Sequence, residues 1–411
     1  MIEPAEALRI VLERAPRLEA VEAALAEAAG AVLAETVASD ADLPPFDKSA
    51  MDGFAVRAED LARPPVELRV AEELPAGTTP ARRVERGSCA QIMTGAPVPA
   101  GADAVVRVEH TEPAGAGPVG LAWRDRRGGR VRILRSDLPR RNICVRGEDV
   151  RKGETVLDAG RLLSPAAIGL LASVGREQVR IVRRPTVAVL ATGDELVEVG
   201  EAPGPGRIRD ANSWSLLACC RRAGAEAESL GIARDTETDL REKIARGLQR
   251  DALLVSGGVS VGQWDLVPKV LADCGCEVHF ATVRMKPGKP TLFATRGRTV
   301  IFGLPGNPVS TIVAFHLFVL PALRKMMGWS DPAPPTVAAR LAVETKVRGD
   351  RRAFVPAILR REGEAWAAEA IPTRGSADLV GFSRADALLA LEPGTHPAGA
   401  SVEAYPLDIR F

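Results

Sequence analysis

Histidine is scarce: the chain has four, at positions 110, 279, 316 and 396. No two of them form an H-x-x-x-H pair, which argues against a histidine-based metal centre. The six cysteines include the neighbours Cys219 and Cys220 and the close pair Cys274 and Cys276, but no C-x-x-C. A zinc ribbon or a dithiol redox site is therefore not expected. The start, MIEPAEALRIVLERAP, reads as an amphipathic helix rather than an export signal, so free buried thiols and a cytoplasmic location are expected. Neither sign of charge is in excess: 54 basic and 53 acidic residues leave +1, too little for a global field that recruits nucleic acid or a membrane. Long apolar runs are lacking too. TIVAFHLFVLPAL, at 311–323, is too short to span a bilayer and contains His316 and Pro321, so it reads as a buried core helix. No internal repeat or low-complexity tract is present.

What remains is the composition of an ordinary soluble protein, 46% hydrophobic and 26% charged, with length for roughly two to four domains. Residues 3–38 carry helical periodicity and good helix formers. From about 62 to 135 short β-type runs are punctuated by glycine and proline. "SPAAIGLLASVG" reads as a helix with Ser164 as N-cap, Pro165 at its first position and Gly175 closing it. Between 185 and 328 short apolar strands alternate with helical stretches, the pattern of βαβ units in a mostly parallel sheet covered on both faces. After "GWSDPAPPT" the chain returns to short alternating runs. The expected domains are 1–45 with 140–176 (N-terminal linker domain), 46–139 (small β-rich inserted domain), 177–328 (α/β domain) and 335–411 (C-terminal β domain).

Open α/β sheets bind ligands beyond the carboxyl ends of their strands, so the loops after each strand matter most. Here they read Thr192-Gly193-Asp194-Glu195, Arg234-Asp235, "SGGVSVGQWD" (256–265), "RMKPGKP" (284–290) and "LPGNPVS" (304–310). In the third, Gly257 and Gly258 let backbone N–H groups converge while Ser256 and Ser260 add hydroxyls, a chemically sensible anion cradle. It is neither a Walker A loop nor G-x-G-x-x-G, and a plain strand-to-helix turn has the same composition. Lysine is rare, eight against forty-six arginines, yet Lys286 and Lys289 share one proline-stiffened loop. An anion would relieve their repulsion; a solvated basic turn is the alternative. Asp194, Glu195, Asp235 and Asp265 supply hard carboxylates of the kind Mg²⁺ requires. Helix capping explains Asp235 and Asp265 equally well. Asn212 or Ser213 reads as a helix cap, and so does Asn307 ahead of Pro308.

Two further polar loops, "LPPFDKSAMDGFAVR" (43–57) and "MTGAPVPAGADAVV" (93–106), lie outside the α/β stretch. Asp47 and Asp52 are placed to turn toward an anionic, metal-bearing cleft, in this chain or a second copy; an Asx-type turn is the alternative.

Together, PPFDKSAMDGFAVR, MTGAPVPAGADAVV, RGEDVRKGE, ATGDEL, SGGVSVG, KPGKP and GLPGNPVS occur in an order that closely resembles the molybdopterin molybdenumtransferase family, which includes bacterial MoeA and the gephyrin E domain. The resemblance covers essentially the whole chain. It implies an elongated homodimer of multidomain subunits, each built on a molybdopterin-binding α/β domain with helical/β N-terminal and small β C-terminal domains. It also implies insertion of molybdate into adenylylated molybdopterin, with Mg²⁺, releasing AMP and molybdenum cofactor. The matching positions are Asp52, Thr94, Asp149, Asp235, Asp265, Lys286 and Lys289 for catalysis. Ser256, Gly257, Gly258, Ser260, Pro305 and Asn307 fall to substrate binding, and Asp194, Glu195 and Asp265 to the metal. The implied partners are a second subunit completing the active site, the upstream adenylyltransferase and acceptor molybdoenzymes. Lys48 departs from the family pattern, and so does the pair Gln263-Trp264, at the rim of the pocket; Gly381 interrupts a serine-rich stretch, which weakens any ligand role for Ser376. An adenylyltransferase acting on molybdopterin and a non-enzymatic scaffold are the competing readings; the first leaves the N-terminal loops unexplained, and the second lacks an extra domain or long linker.

Overall fold

The computed structural model describes residues 1–114, 129–135, 140–259 and 266–407. The chain divides into two compact units, one formed by 1–35, 159–168 and 177–411, the other by 36–158 and 169–176.

In the first unit a six-stranded sheet runs in the order Glu226–Ala233, Thr186–Thr192, Ala252–Ser256, Thr299–Leu304, Leu292–Arg296, Glu277–Phe280. The first four strands are mutually parallel, and the last two pairings are antiparallel. Thr186–Thr192 and Ala252–Ser256 read as almost unbroken apolar runs because both faces of the sheet are covered. Val187, Val189, Ala252 and Leu254 face one core with the helices Asn212–Arg222 and Pro308–Ala314. Ala188, Leu190, Leu253 and Val255 face the other, with Glu237–Gly247 and Val267–Asp273. The two-residue period of a strand thus sorts one sequence onto two cores.

The expected core helix is continuous from Pro308 to Met326, 19 residues, which is longer than the apolar run alone indicated. Length and composition would let it cross a membrane, yet 89% of its most apolar 18-residue stretch is buried within the protein. It widens by one residue at Phe315–Val319, where Leu320 N–H reaches Phe315 O. Pro321, which has no N–H to give, follows directly.

A correction falls on residues 3–38. Only Pro4–Arg14 is α-helical; Ala20–Ala24 is a strand paired antiparallel with Gln178–Val182. Pro16 removes a donor just after the helix, and long-range pairing then overrides the helix propensity of an alanine-rich run. C-terminally, Val337–Leu341, Arg352–Glu362, Ala365–Ala370, Ala387–Leu391 and Ser401–Pro406 form a sheet that closes on itself through the pairing of 352–362 with 387–391.

In the second unit six strands are ordered Ala104–Arg107, Gly53–Val56, Ser88–Ile92, Val66–Leu74, Arg130–Ile133, Thr111–Ala114. All six cysteines of the chain are free thiols.

Candidate functional site

Because the strands ending at Thr192, Ala233, Ser256 and Leu304 are parallel, their following loops emerge on one edge of the sheet. The strand ending at Phe280 is antiparallel to its neighbour, which is antiparallel to the next, so it points the same way. The KPGKP segment that follows it therefore starts from that edge as well. Gly193, Glu195, Asp235, Ser256, Gly257, Gly258, Pro290 and Pro305 all line one cleft of about 290 Å³ there. Asp194, Lys286, Lys289 and Asn307 belong to the same loops but are not among its lining residues. Ser260 and Asp265, with Gln263 and Trp264, lie outside the described residues.

The SGG turn is pressed onto the end of the neighbouring strand. Gly257 adopts φ +93°, and a Cβ there would sit 2.6 Å from Thr192 O, so only glycine fits. The side-chain oxygen of Thr192 is buried in the same place with no hydrogen-bond partner among the described residues. The turn is thereby fixed against the cleft: Gly257 N–H donates to Leu304 O at 3.0 Å, and Ser256, Gly257 and Gly258 all line the cavity.

The acids are organised by backbone contacts. Asp194 N–H donates to Asp235 Oδ2 at 3.3 Å, and Asp235 N–H donates to Asp194 Oδ1 at 3.4 Å. Asp235 is not the helix cap that its position allowed. Thr236 takes that role, its hydroxyl accepting from Asp239 N–H at 3.4 Å. Likewise neither Asn212 nor Ser213 caps its helix by side chain: Asp210 Oδ1 accepts from Ser213 N–H at 3.0 Å. Asn212 instead donates to Ser256 Oγ and to Gly306 O, both at 2.8 Å, tying three segments together. Asn307 occupies the cap position ahead of Pro308, but its Nδ2 donates to Ser376 Oγ at 2.8 Å. Ser376 is thus joined to the LPGNP loop despite the altered stretch that follows it.

Lys286 is exposed, and its backbone is fixed by the parallel pairing of Met285–Lys286 with Arg352–Ala353. Lys289 is exposed too, while its carbonyl accepts from Val283 and Thr291 N–H, both at 2.9 Å. Both ammonium groups are therefore carried on a held backbone.

In the second unit the irregular stretch at 43–57 resolves into a braced loop. Asp52 Oδ1 accepts from both the N–H and the hydroxyl of Thr94, each at 2.7 Å. These two bonds, the backbone one first, hold the Asp52 carboxyl below its usual range. Asp47 Oδ1 accepts from Arg146 N–H at 2.8 Å, and Asp149 N–H donates to Leu43 O at 3.0 Å. The MDG, MTGAP and RGED segments are so knit into one patch. Gly53 is obligatory, because a Cβ there would lie 1.9 Å from Val106 O.

Sequence reasoning left Thr192, Asp210 and Asn212 without a role in the cleft. One signal pointed to Asn212: a helix start needs one polar cap, and "RDANS" offers three candidates.

Among the described residues no group of three or more histidine, cysteine or carboxylate side chains is placed to hold a metal ion unaided. Glu195 and Asp235, both on the cleft wall, suit an ion that takes its remaining ligands from substrate phosphates, which is how Mg²⁺ is usually held.

A parallel sheet whose strand-end loops form a glycine, hydroxyl and carboxylate cleft defines an anion-binding α/β protein. Comparison with known proteins narrows this. The profile of the MoeA N-terminal region (domain I and II) matches residues 2–175, that of a probable molybdopterin binding domain matches 188–325, and that of the MoeA C-terminal region (domain IV) matches 338–407. The chain is 36% identical over 375 residues to a molybdopterin molybdenumtransferase of Nostoc sp., covering 89% of this chain and 83% of the relative. It is 35% identical to one of Haemophilus influenzae over 93% of each chain. The crystal structure of the molybdopterin biosynthesis moeA protein of Pyrococcus horikoshii superposes with a TM-score of 0.81 at 29% identity, covering 99% of this chain and 100% of that one. The chain belongs to the MoeA family of molybdopterin molybdenumtransferases.

Proposed function

We propose that this protein is a molybdopterin molybdenumtransferase: it inserts molybdate into the dithiolene of adenylylated molybdopterin and releases AMP and molybdenum cofactor. The observation that carries the reading is the convergence of Glu195, Asp235, Ser256, Gly257 and Pro305 on a single cleft, in a chain whose relatives over most of its length bear that name. In this reading the SGG turn and its hydroxyls bind the phosphates by backbone dipoles. Lys286 and Lys289 attract the anionic substrates and molybdate by charge. Asp52, Thr94 and Asp149 shield the dithiolene from water, and the catalytic unit is a cytoplasmic homodimer. Mg²⁺, held by Glu195 and Asp235 together with Asp265 and supported by Asp194, would neutralise charge on the leaving phosphate. The protein's own residues bind, orient and exclude solvent, and none serves as a covalent nucleophile.

The test is direct. Purified protein with adenylylated molybdopterin, molybdate and Mg²⁺ is expected to release AMP and to yield cofactor that activates a cofactor-free molybdoenzyme. Transfer of AMP from ATP onto molybdopterin in the absence of molybdate would instead identify an adenylyltransferase.

A further inference from the structure

Asn212 opens a helix that does not need its side chain. Asp210 already accepts the first-turn N–H of Ser213, so the Asn212 amide is free to serve the cleft it lines. Its Nδ2 makes two bonds of 2.8 Å, to Ser256 Oγ and to the Gly306 carbonyl. A carbonyl only accepts, so the nitrogen side of the amide must face Gly306, and both of its N–H groups are spent. Ser256 Oγ is then obliged to accept from Asn212, and its own proton must point elsewhere. Ser256 is only 2% exposed, ends its strand beside Gly257 and lines the cleft. Among the described residues nothing takes that proton.

We propose that Asn212 is a positioning residue that sets Ser256 as a hydroxyl donor to a phosphate oxygen in the cleft. A serine left to rotate presents its lone pairs as readily as its proton, and an anion can use only the proton. By occupying the acceptor side, Asn212 removes that ambiguity before the ligand arrives, so no reorientation is needed on binding. The inference rests on the proposed function only in taking the phosphate to be that of the adenylate.

Titration calorimetry of the full-length protein with AMP and with adenosine tests it. Asn212→Ala and Ser256→Ala are each expected to weaken AMP about tenfold, the loss of one hydrogen bond to a charged group, while adenosine changes by less than about twofold. The double variant is expected to bind AMP within about twofold of Ser256→Ala, because Asn212 acts through that hydroxyl. Additive losses, equal losses for AMP and adenosine, or wild-type AMP affinity in Asn212→Ala would each overturn the proposal. Should Asn212→Ala not fold, Ser256→Thr, which keeps the hydroxyl, must restore the affinity that Ser256→Ala loses; failure to do so overturns it equally. A wild-type protein that binds AMP but inserts no molybdenum would sink the proposed activity and leave this inference standing. Absence of AMP affinity in the wild type would overturn this inference, while the proposed activity stands or falls by cofactor formation.

Discussion

Asp194 and Asp235, forty-one residues apart in sequence, each accept the other's backbone N–H, at 3.4 and 3.3 Å. The exchange locks the ends of two adjacent parallel strands together and brings two like charges side by side. Two carboxylates held this close gain from a nearby cation.

Asp235→Asn keeps an acceptor for the Asp194 amide while removing the charge. Cofactor formation by this variant is expected to require about tenfold more Mg²⁺, with the fold intact. Activity measured against Mg²⁺ concentration checks this, and an unchanged midpoint would show that Asp235 does not serve the ion.

Lys286→Ala leaves the Met285–Lys286 backbone paired with Arg352–Ala353, so thermal stability should change little. Molybdate-dependent cofactor formation is expected to be abolished. In the wild type, anion binding at this loop should weaken as salt is raised, since both lysines are exposed to screening. Full activity in the variant would remove Lys286 from the site.

Thr94→Ala deletes the hydroxyl bond to Asp52 and keeps the backbone one. The Asp52 pKa is expected to rise part of the way toward its usual value, as followed by carboxyl NMR. The sign follows from linkage. A carboxyl whose folded pKa is depressed adds stability above its unfolded pKa, and that stability is lost as pH falls through the folded value. The variant should therefore lose less stability than the wild type on acidification below about pH 4.

His316 sits edge-on to Phe315, with ring centroids 5.8 Å apart. Burial, helped by the charges of Arg222 and Arg324, pushes its pKa from 6.5 to about 4. The unfolded chain then binds a proton that the folded one refuses, so stability is full above pH 6.5 and declines as pH falls toward 4. The decline from this group is at most about 3 kcal/mol. Denaturant unfolding across that range should show it, and His316→Gln should flatten that part of the profile. An unaltered slope in the variant would assign the acid sensitivity to other groups.

Much of this was legible in the chain. Alternating apolar strands and helical stretches announced a covered parallel sheet, and "SGG" announced a tight turn; that Gly53 and Gly257 sit where a Cβ would meet a carbonyl oxygen emerged only in the fold. The helical period at 3–38 misled, because Ala20–Ala24 gains more from pairing with Gln178–Val182 than from its own propensity. Capping was misassigned for a similar reason. Asp210, Asn212 and Ser213 are interchangeable as caps by composition, and only the direction in which each side chain points separates the cap from the cleft residue.

By itself the sequence determined which residue types stand after each strand, since periodicity and turn chemistry act over a few neighbouring positions. Tertiary structure alone decided which of those residues share a cleft and which way their protons point. Asn212, Ser256 and Gly306 come from a helix start, a strand end and a loop, and hydrogen-bond polarity among them exists only once strand order has made them neighbours.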